Sequence, residues 1–301
     1  MARRKHGRPV HGILLLDKPL GMTSNRILQQ VKRLFDAQKA GHTGSLDPLA
    51  TGLLPLCFGE ATKVSGFLLD ADKAYLGTIK LGETTQTGDA EGEVITTHQV
   101  PELSAEQIDK VLASLTGTHM QIPPMHSAIK QNGQPLYKLA HQGLEVERKP
   151  REVHIHRLIC EGFTENTIDI SVHCSKGTYI RTLAEDIGKK LGCGGHLSAL
   201  RRTRSGPFDL QNAVTMAQLE ALQQLDALDE YLLPIESALV DWPTVELTQD
   251  AAFYAKQGNP VLVPKAPTSG KVMLFAEQSG FFGVGEILDD GRVAPRRLFL
   301  H

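Results

Sequence analysis

The sequence predicts an α+β protein of about two domains, a larger one that mixes strands and helices and a small C-terminal β domain. The 301 residues exceed the length of one typical domain. Apolar residues make up 41% of the chain and charged residues 22%, the balance of a globular protein with a sizeable core. Strand-like and helix-like segments both occur before Trp242, and short β-like runs separated by turns follow it.

The larger domain begins with an apolar run at residues 12–17, which is typical of a strand and ends at a proline-glycine turn. Ser24 or Asn25 can cap the helix that follows, because apolar residues recur there at the helical spacing through Phe35. The same two periodicities predict further strands and helices. The strands are at residues 74–81 and 168–174, and the helices are at 178–191, at 216–233 and from Ser104 onward.

The C-terminal segment has β-like runs at residues 271–276 and 281–287, bounded by Ser-Gly and Asp-Gly turn signals. A domain of about 55 residues is near the lower limit for independent folding. We therefore expect it to dock against the larger domain.

Four cysteines, Cys57, Cys160, Cys174 and Cys193, fall in no CxxC pair and in no spacing typical of metal ligands. They are predicted to be reduced and mostly buried thiols of a cytoplasmic protein. No apolar run reaches the length of about 20 residues that spans a membrane.

Charge is distributed unevenly along the chain. The formal net charge is −2, yet residues 205–255 contain nine acidic residues and no lysine or arginine, so the rest of the chain is net basic. Because a polyanion responds to local patches more than to net charge, this segregation is compatible with a nucleic-acid partner. Solvated charged faces would give the same pattern, and charge alone does not decide.

The segment Gly41-His-Thr-Gly-Ser-Leu-Asp-Pro-Leu-Ala-Thr-Gly52 is too rich in glycine for a regular element. Asp47 followed by Pro48 is typical of a helix start, where aspartate caps and proline occupies the first turn. A carboxylate held in this way stays ionised and can also act as a nucleophile. Its three glycines would allow a ligand backbone to approach closely. Capping and catalysis both stay open on the spacing alone.

Three other residues allow a structural and a functional interpretation. His42 can fill a structural role or stack on a nucleobase, and Tyr75 can line the core or lie beside a flipped base. Arg181, in the first turn of its helix, can pair with Glu185 on the surface. It can instead form a bidentate pair with a carboxylate or phosphate held in a cleft.

Five segments together resemble the bacterial TruB family of tRNA pseudouridine synthases. They are Gly12-Ile-Leu-Leu-Leu-Asp-Lys-Pro-Leu-Gly21, the segment at 41–52, Lys73-Ala-Tyr75, Gly177-Thr-Tyr-Ile-Arg181 and Ala199-Leu-Arg-Arg202. The resemblance covers nearly the whole chain. It implies a pseudouridine synthase fold with a mixed, largely antiparallel sheet in residues 1–244, including a flexible insertion at about 120–151. It also implies a small PUA-like β-barrel that binds RNA in residues 245–301.

The resemblance also implies the roles of individual residues. Asp47 matches the catalytic aspartate. The substrate-binding residues are His42, which holds the flipped-out nucleotide, Tyr75, which lies against the target base, Tyr179, a second pocket tyrosine, Arg181, which pairs with Asp47, and Leu200, which lines an apolar pocket. Lys18 and Pro19 match a motif that supports the active-site loop.

The implied reaction converts uridine 55 in the T-arm loop of tRNA to pseudouridine. The uridine must leave its stack, after which N1–C1′ breaks, C5 joins C1′ and the C5 proton leaves. The substrate supplies every atom of the product, so no cofactor or metal is expected. The resemblance implies tRNA as the partner of a monomer, with no obligate protein partner. The residues do not decide between attack at C1′ and attack at C6.

Two rival functions stay open at the level of sequence. An RNA-folding chaperone on the same scaffold would need the basic residues of the chain to bind RNA, but it would not need Asp47. An enzyme that excises the base would hydrolyse the same bond without rejoining it. Glycoside hydrolysis generally uses two facing carboxylates, and the sequence offers one persuasive candidate, Asp47.

Overall fold

The computed structural model describes residues 6–299 except 132, 141 and 223. The strands in these residues are β1 (Gly12–Lys18), β2 (Ala40–His42), β3 (Ala50–Phe58), β4 (Lys73–Leu81), β5 (Glu83–Thr85), β6 (Val94–Thr97), β7 (Gly117–Gln121), β8 (Lys130–Gln131), β9 (Gln134–Pro135), β10 (Arg151–Phe163), β11 (Thr167–Cys174), β12 (Gly195–Ser205), β13 (Phe208–Asp209), β14 (Val214–Thr215), β15 (Thr244–Leu247), β16 (Gly270–Ala276), β17 (Gly280–Ile287) and β18 (Val293–Leu298). The α-helices are α1 (Ser24–Leu34), α2 (Ser65–Asp70), α3 (Ala105–Ser114), α4 (Leu136–Ala140), α5 (Ile180–Lys190), α6 (Met216–Glu220), α7 (Leu225–Asp229) and α8 (Gln249–Lys256). Three 3₁₀ turns lie at Gly59–Lys63, Leu210–Asn212 and Ile235–Leu239.

The larger domain is built on one mixed sheet, whose order is β14-β1-β3-β12-β4-β11-β10-β7, with β2 added to β3 and β13 to β12. The pairs β1–β14 and β3–β12 are parallel, and the other neighbours are antiparallel. The prediction of a mixed, largely antiparallel sheet is therefore confirmed.

Two buried apolar clusters pack against this sheet. One joins α3 and α5 to β4, β11 and β12, and the other joins α1, α6 and α7 to β1 and β3. Tyr75 on β4 and Leu200 on β12 are partly buried and contact both clusters. These two side chains therefore lie at the junction between the two halves of the domain.

The C-terminal strands form a separate four-stranded sheet of order β15-β16-β17-β18. Its Met273 and Phe281 share one buried cluster with Ile13 and Leu15 of β1, and Lys63 Nζ donates to the Leu298 carbonyl at 2.7 Å. The expected docking of this segment is confirmed. Closure of the sheet into a barrel and the boundary at residue 244 stay predictions.

The local sequence signals predicted most elements, and two elements were predicted wrongly. The predicted cap of α1 is wrong as well, because Thr23, rather than Ser24 or Asn25, accepts from the Arg26 N–H at 3.2 Å. The periodicities that predicted β4, β11, α3 and α5 are confirmed, and Ser104 caps α3 through a capping box with Gln107. The single helix predicted at residues 216–233 is wrong. The chain there forms the short helices α6 and α7, each of which buries one leucine, Leu219 or Leu228, in the same cluster. The second failure, at Asp47, is described with the site.

Residues 120–151 contain β8, β9 and α4 joined by loops, as the proline and glycine content predicted. Their flexibility stays a prediction. All four cysteines are free, and Cys57, Cys174 and Cys193 are buried. None of the helices in the described part of the chain has the length and apolar character needed to cross a bilayer.

Candidate active site

Asp47 lies in a turn of the larger domain and does not cap a helix. The Ala50 N–H donates to the Asp47 carbonyl at 3.0 Å, and β3 begins at Ala50. The predicted helix start is therefore wrong. Proline is favoured at the second position of a β-turn as well as at the first position of a helix, and here the chain uses Pro48 in the turn.

Both flanks of this turn are fixed by hydrogen bonds from the segment that precedes it. The buried Ser24 hydroxyl accepts from the Leu46 N–H at 2.7 Å and donates to the Leu46 carbonyl at 3.0 Å. The Gly21 N–H donates to the Pro48 carbonyl at 2.9 Å. Asp47 is therefore held between two anchored residues, which gives its carboxylate a defined position.

Arg202 supports the same loop from beneath. Its side chain is buried, its Nε donates to the Leu53 carbonyl at 2.7 Å and an Nη donates to the Gly44 carbonyl at 3.1 Å. Gly52 has a φ of 98°, and a Cβ there would lie 2.3 Å from the Arg202 carbonyl oxygen. The close neighbour of Gly52 is therefore the backbone of β12. The expectation that Gly52 lets a ligand backbone approach is wrong.

Lys18 fixes the start of the segment that joins β1 to α1. Its side chain is fully buried, and Nζ donates to the Pro19 carbonyl at 2.8 Å and to the Met22 carbonyl at 2.6 Å. Burial lowers the pKa of Lys18 to about 8, while the charge of Asp47 acts in the opposite direction. These contacts agree with a supporting role for this lysine.

Arg181 pairs with Asp47 and not with Glu185 on the surface. The residue is 5% exposed, and its Nε lies 3.1 Å from Asp47 Oδ2. The two terminal nitrogens donate to main-chain carbonyls, one to Thr87 at 3.1 Å and the other to His126 at 2.7 Å. The predicted pairing of Arg181 with a carboxylate is confirmed, although the bidentate geometry expected for it is not, because both terminal nitrogens donate to the Thr87 and His126 carbonyls.

A second carboxylate, Asp89, lies near the same nitrogen of Arg181. It is 3% exposed, and its Oδ2 lies 3.6 Å from Arg181 Nε. Its Oδ1 accepts from the Thr87 hydroxyl and from the Glu91 N–H at 3.1 Å. Sequence reasoning missed Asp89. The available signal was an acidic residue between Gly88 and Gly92 in a polar loop, which is too common to single out a site.

The charge state of Asp47 follows from opposing effects. Burial raises the pKa of the carboxyl above its ordinary value, the Arg181 guanidinium lowers it, Asp89 raises it and Lys18 lowers it. Burial has a larger effect than the guanidinium, so the pKa of Asp47 is raised. The expectation of a carboxylate kept ionised implied a lowered pKa. The side chain is nevertheless 45% exposed, so solvent and substrate can reach it. Asp47 is thus an accessible acid in a surrounding that opposes its charge.

The two tyrosines of the site are neutral phenols. Burial raises the pKa of Tyr75 and of Tyr179, and the charge of Asp47 adds to the rise in both. Tyr75 also shares a hydrogen bond with Arg202. The buried Gln121 fixes the main chain of Tyr179, accepting from its N–H at 2.8 Å and donating to its carbonyl at 3.0 Å.

Leu200 and His42 flank the same loop. Leu200 lies opposite Ala50 of β3 and Gly77 of β4 in the sheet, between the strand that follows Asp47 and the strand that carries Tyr75. His42 is half-buried at the end of β2, its Nδ1 is buried without a hydrogen-bond partner, and burial lowers its pKa. The structure therefore brings the sequence-predicted residues to one region and adds Asp89, Arg202 and Gln121 as their supports.

Comparisons with known proteins agree with this geometry. The family model "TruB family pseudouridylate synthase (N terminal domain)" matches residues 32–180, and two C-terminal models of tRNA pseudouridylate synthase B and pseudouridine synthase II TruB match residues 181–240 and 243–299. A protein of Nitrosococcus oceani named tRNA pseudouridine synthase B is 55% identical over 98% of this chain and 97% of its own length.

The chain belongs to the TruB family. A second TruB relative, from Coxiella burnetii and also named tRNA pseudouridine synthase B, is 53% identical over 97% of this chain and 95% of its own. A solved chain described as a Cbf5-Nop10-Gar1 complex matches all of this chain and 91% of its own length, with a TM-score of 0.73 and 23% identity. That likeness concerns the fold alone, and it agrees with the predicted pseudouridine synthase fold.

Proposed function

We propose that this protein isomerises uridine 55 in the T-arm loop of tRNA to pseudouridine, with Asp47 as the catalytic carboxylate. The relatives are named for tRNA pseudouridine synthesis. One geometric observation carries the assignment of the acid. Arg181 Nε lies near two carboxylates, of which Asp89 is buried and Asp47 is 45% exposed. Asp47 is therefore the partner that can meet an everted nucleotide.

Arg181 orients Asp47 and lowers its pKa, which partly offsets the rise caused by burial and so favours the ionised carboxylate that the reaction uses. It attacks C1′ or C6, or stabilises positive charge at C1′, while the N1–C1′ bond breaks. The uracil then turns, and C5 bonds to C1′ while any bond between Asp47 and the substrate breaks. C5 loses its proton, and N1 ends protonated in the product. Since the substrate supplies every atom of the product, these residues need only evert, hold and turn the base.

Tyr75, Tyr179, His42 and Leu200 are assigned to binding the everted nucleotide. Tyr75 is a poor general base because its pKa is raised, so we assign its ring to contact with the base. Leu200 offers an apolar wall next to Tyr75, because its strand pairs with β4. His42, with an unpartnered Nδ1 and a lowered pKa, presents a neutral ring that can bond or stack on a nucleotide.

Base excision is disfavoured by the position of the second acid. A glycoside hydrolase uses two carboxylates that face the bond from opposite sides. Asp89 is buried beside Arg181 Nε and accepts hydrogen bonds from its own loop, so a substrate does not reach it. Of the two carboxylates that pair with Arg181, Asp47 alone is accessible to a substrate.

The test is tritium release from C5-labelled uridine in a T-arm stem-loop, with an anticodon-arm stem-loop run alongside. Wild type should release tritium from the T-arm substrate alone. Asp47→Asn should release none while still binding the RNA, and the exposed Asp241→Asn should match wild type. Turnover by Asp47→Asn would refute the catalytic assignment, and free uracil in the product would show excision instead. A chaperone role alone predicts that no variant differs in any of these assays.

A further inference from the structure

A second group of polar side chains lies outside the residues assigned to chemistry. Asp72 precedes β4, His156 is on β10 and His173 is on β11, and one ligand atom from each lies within 4.8 Å of the other two. The shortest contact joins His156 Nε2 to Asp72 Oδ2 at 2.9 Å. These residues come from three separate parts of the sequence, so the fold assembles them.

An irregularity in β10 exposes His156. Ile155 pairs with Cys174 and Arg157 pairs with His173, so His156 is an extra residue in a β-bulge. Ile155 and Leu158 are buried, whereas both intervening residues face outward. Bulges commonly re-aim a side chain at a functional site. Here the bulge places His156 and Arg157 together opposite His173.

We propose that Asp72, His156 and His173 bind a divalent transition-metal ion of the zinc class. Two imidazoles and one carboxylate form a donor set that zinc accepts with a fourth position open to water. At the usual metal–ligand distances the ligand atoms of a tetrahedral site are about 3.3 Å apart. Rotamer changes of about 1 Å would therefore bring the three ligands to that spacing.

The surroundings make an ordinary surface ion pair the competing explanation. Such a pair would account for His156 and Asp72, whose side chains are 35% and 46% exposed. Strand pairing places His173 beside both, with its ring 4.8 Å from that of His156, and the zinc titration distinguishes this packing from a metal site. Arg204 is close enough to act on His173 electrostatically and opposes a cation, and Asp72 offsets it. His154 stacks near His156 with ring centres 4.6 Å apart, but its Nδ1 bonds the Thr118 hydroxyl.

Binding would tie β10 and β11 to the start of β4, the strand that carries Tyr75. The ligand of the test is Zn²⁺, titrated by calorimetry into protein without a histidine tag. Wild type should bind one ion and unfold at a higher temperature when zinc is present. His156→Gln and His173→Gln should each weaken binding by about tenfold or more. Asp72→Asn should weaken it too, and His154→Gln should bind as wild type does.

Because an exposed ion pair contributes little to stability, the metal-free variants should unfold near the wild-type temperature, which separates lost binding from lost folding. Equal zinc affinity in wild type and all four variants would overturn the proposal, as would the absence of binding by wild type. Loss of affinity in His154→Gln alone would also overturn it, because that residue lies outside the proposed ligand set.

Discussion

Arg181 binds Asp47 through Nε while both of its terminal nitrogens donate to main-chain carbonyls. The guanidinium therefore has three partners in fixed directions, and its orientation is set by Thr87 and His126 rather than by Asp47. An arginine held in this way positions the carboxylate instead of following it. The buried Asp89 lies 3.6 Å from the same Nε.

Arg181→Lys should lower single-turnover tritium release by about 100-fold or more, because an ammonium cannot satisfy three partners in these directions and Asp47 loses its position. Lys189→Arg, at the exposed end of the same helix, is the control and should react normally. A near-normal rate in Arg181→Lys would mean that the Asp47 contact does not orient the acid.

Asp89→Asn should shift the acid limb of the pH–rate profile to lower pH. Asp89 raises the pKa of Asp47, so removing its charge lowers that pKa and keeps the carboxylate ionised further into acid. The profile of the chemical step between about pH 4 and pH 8 measures this shift. Arg181→Met removes a group that lowers the same pKa, so the acid limb of its residual activity should move to higher pH. Shifts of the same sign in both variants would contradict the charge assignment.

Gly52→Ala should destabilise the protein by more than about 1–3 kcal/mol, because the new Cβ meets the Arg202 backbone in addition to requiring a positive φ. Gly192→Ala measures the cost of the positive φ alone, since Gly192 has a φ of 83° and open space around it. Urea unfolding of both variants gives the comparison. Equal losses would show that the contact with β12 relaxes without cost.

Phe281→Ala should cost about 3–5 kcal/mol and destabilise the larger domain together with the C-terminal sheet. Phe281 is 4% exposed, and its ring lies 5.1 Å from Phe299 in the cluster that includes β1. The exposed Phe253→Ala, on α8, should change little. Calorimetry should show one transition that moves to lower temperature. A transition of the C-terminal sheet alone would show that the shared cluster does not couple the domains.

The sequence predicted those parts of the fold in which local pattern and packing agree. The alternation along β11 and the apolar spacing of α5, ended by Gly192, each have one structural solution, and both are confirmed. Asp47-Pro48 has two local solutions, a helix start and a turn, and only the pairing of β3 with its neighbours decides between them.

The supports of the site could not be predicted in the same way. Asp89 meets Arg181, and Arg202 meets Gly44, across long stretches of sequence, and neither residue lies in a local pattern that distinguishes a buried charge from a surface charge. Arg202 lies beside Arg201 and two residues before Arg204 in the sequence, a spacing that is typical of a charged surface, yet it is buried under the loop. The positions of Asp47, Tyr75 and Arg181 were predictable because a family resemblance covered them.

Tyr75 and Leu200 belong to both apolar clusters of the larger domain. The proposed walls of the nucleotide pocket are thus part of the boundary at which the two halves pack. A change of side-chain volume in the interior of either half should therefore shift these two side chains. Variants with altered substrate preference should therefore be sought in the interior as well as along the cleft.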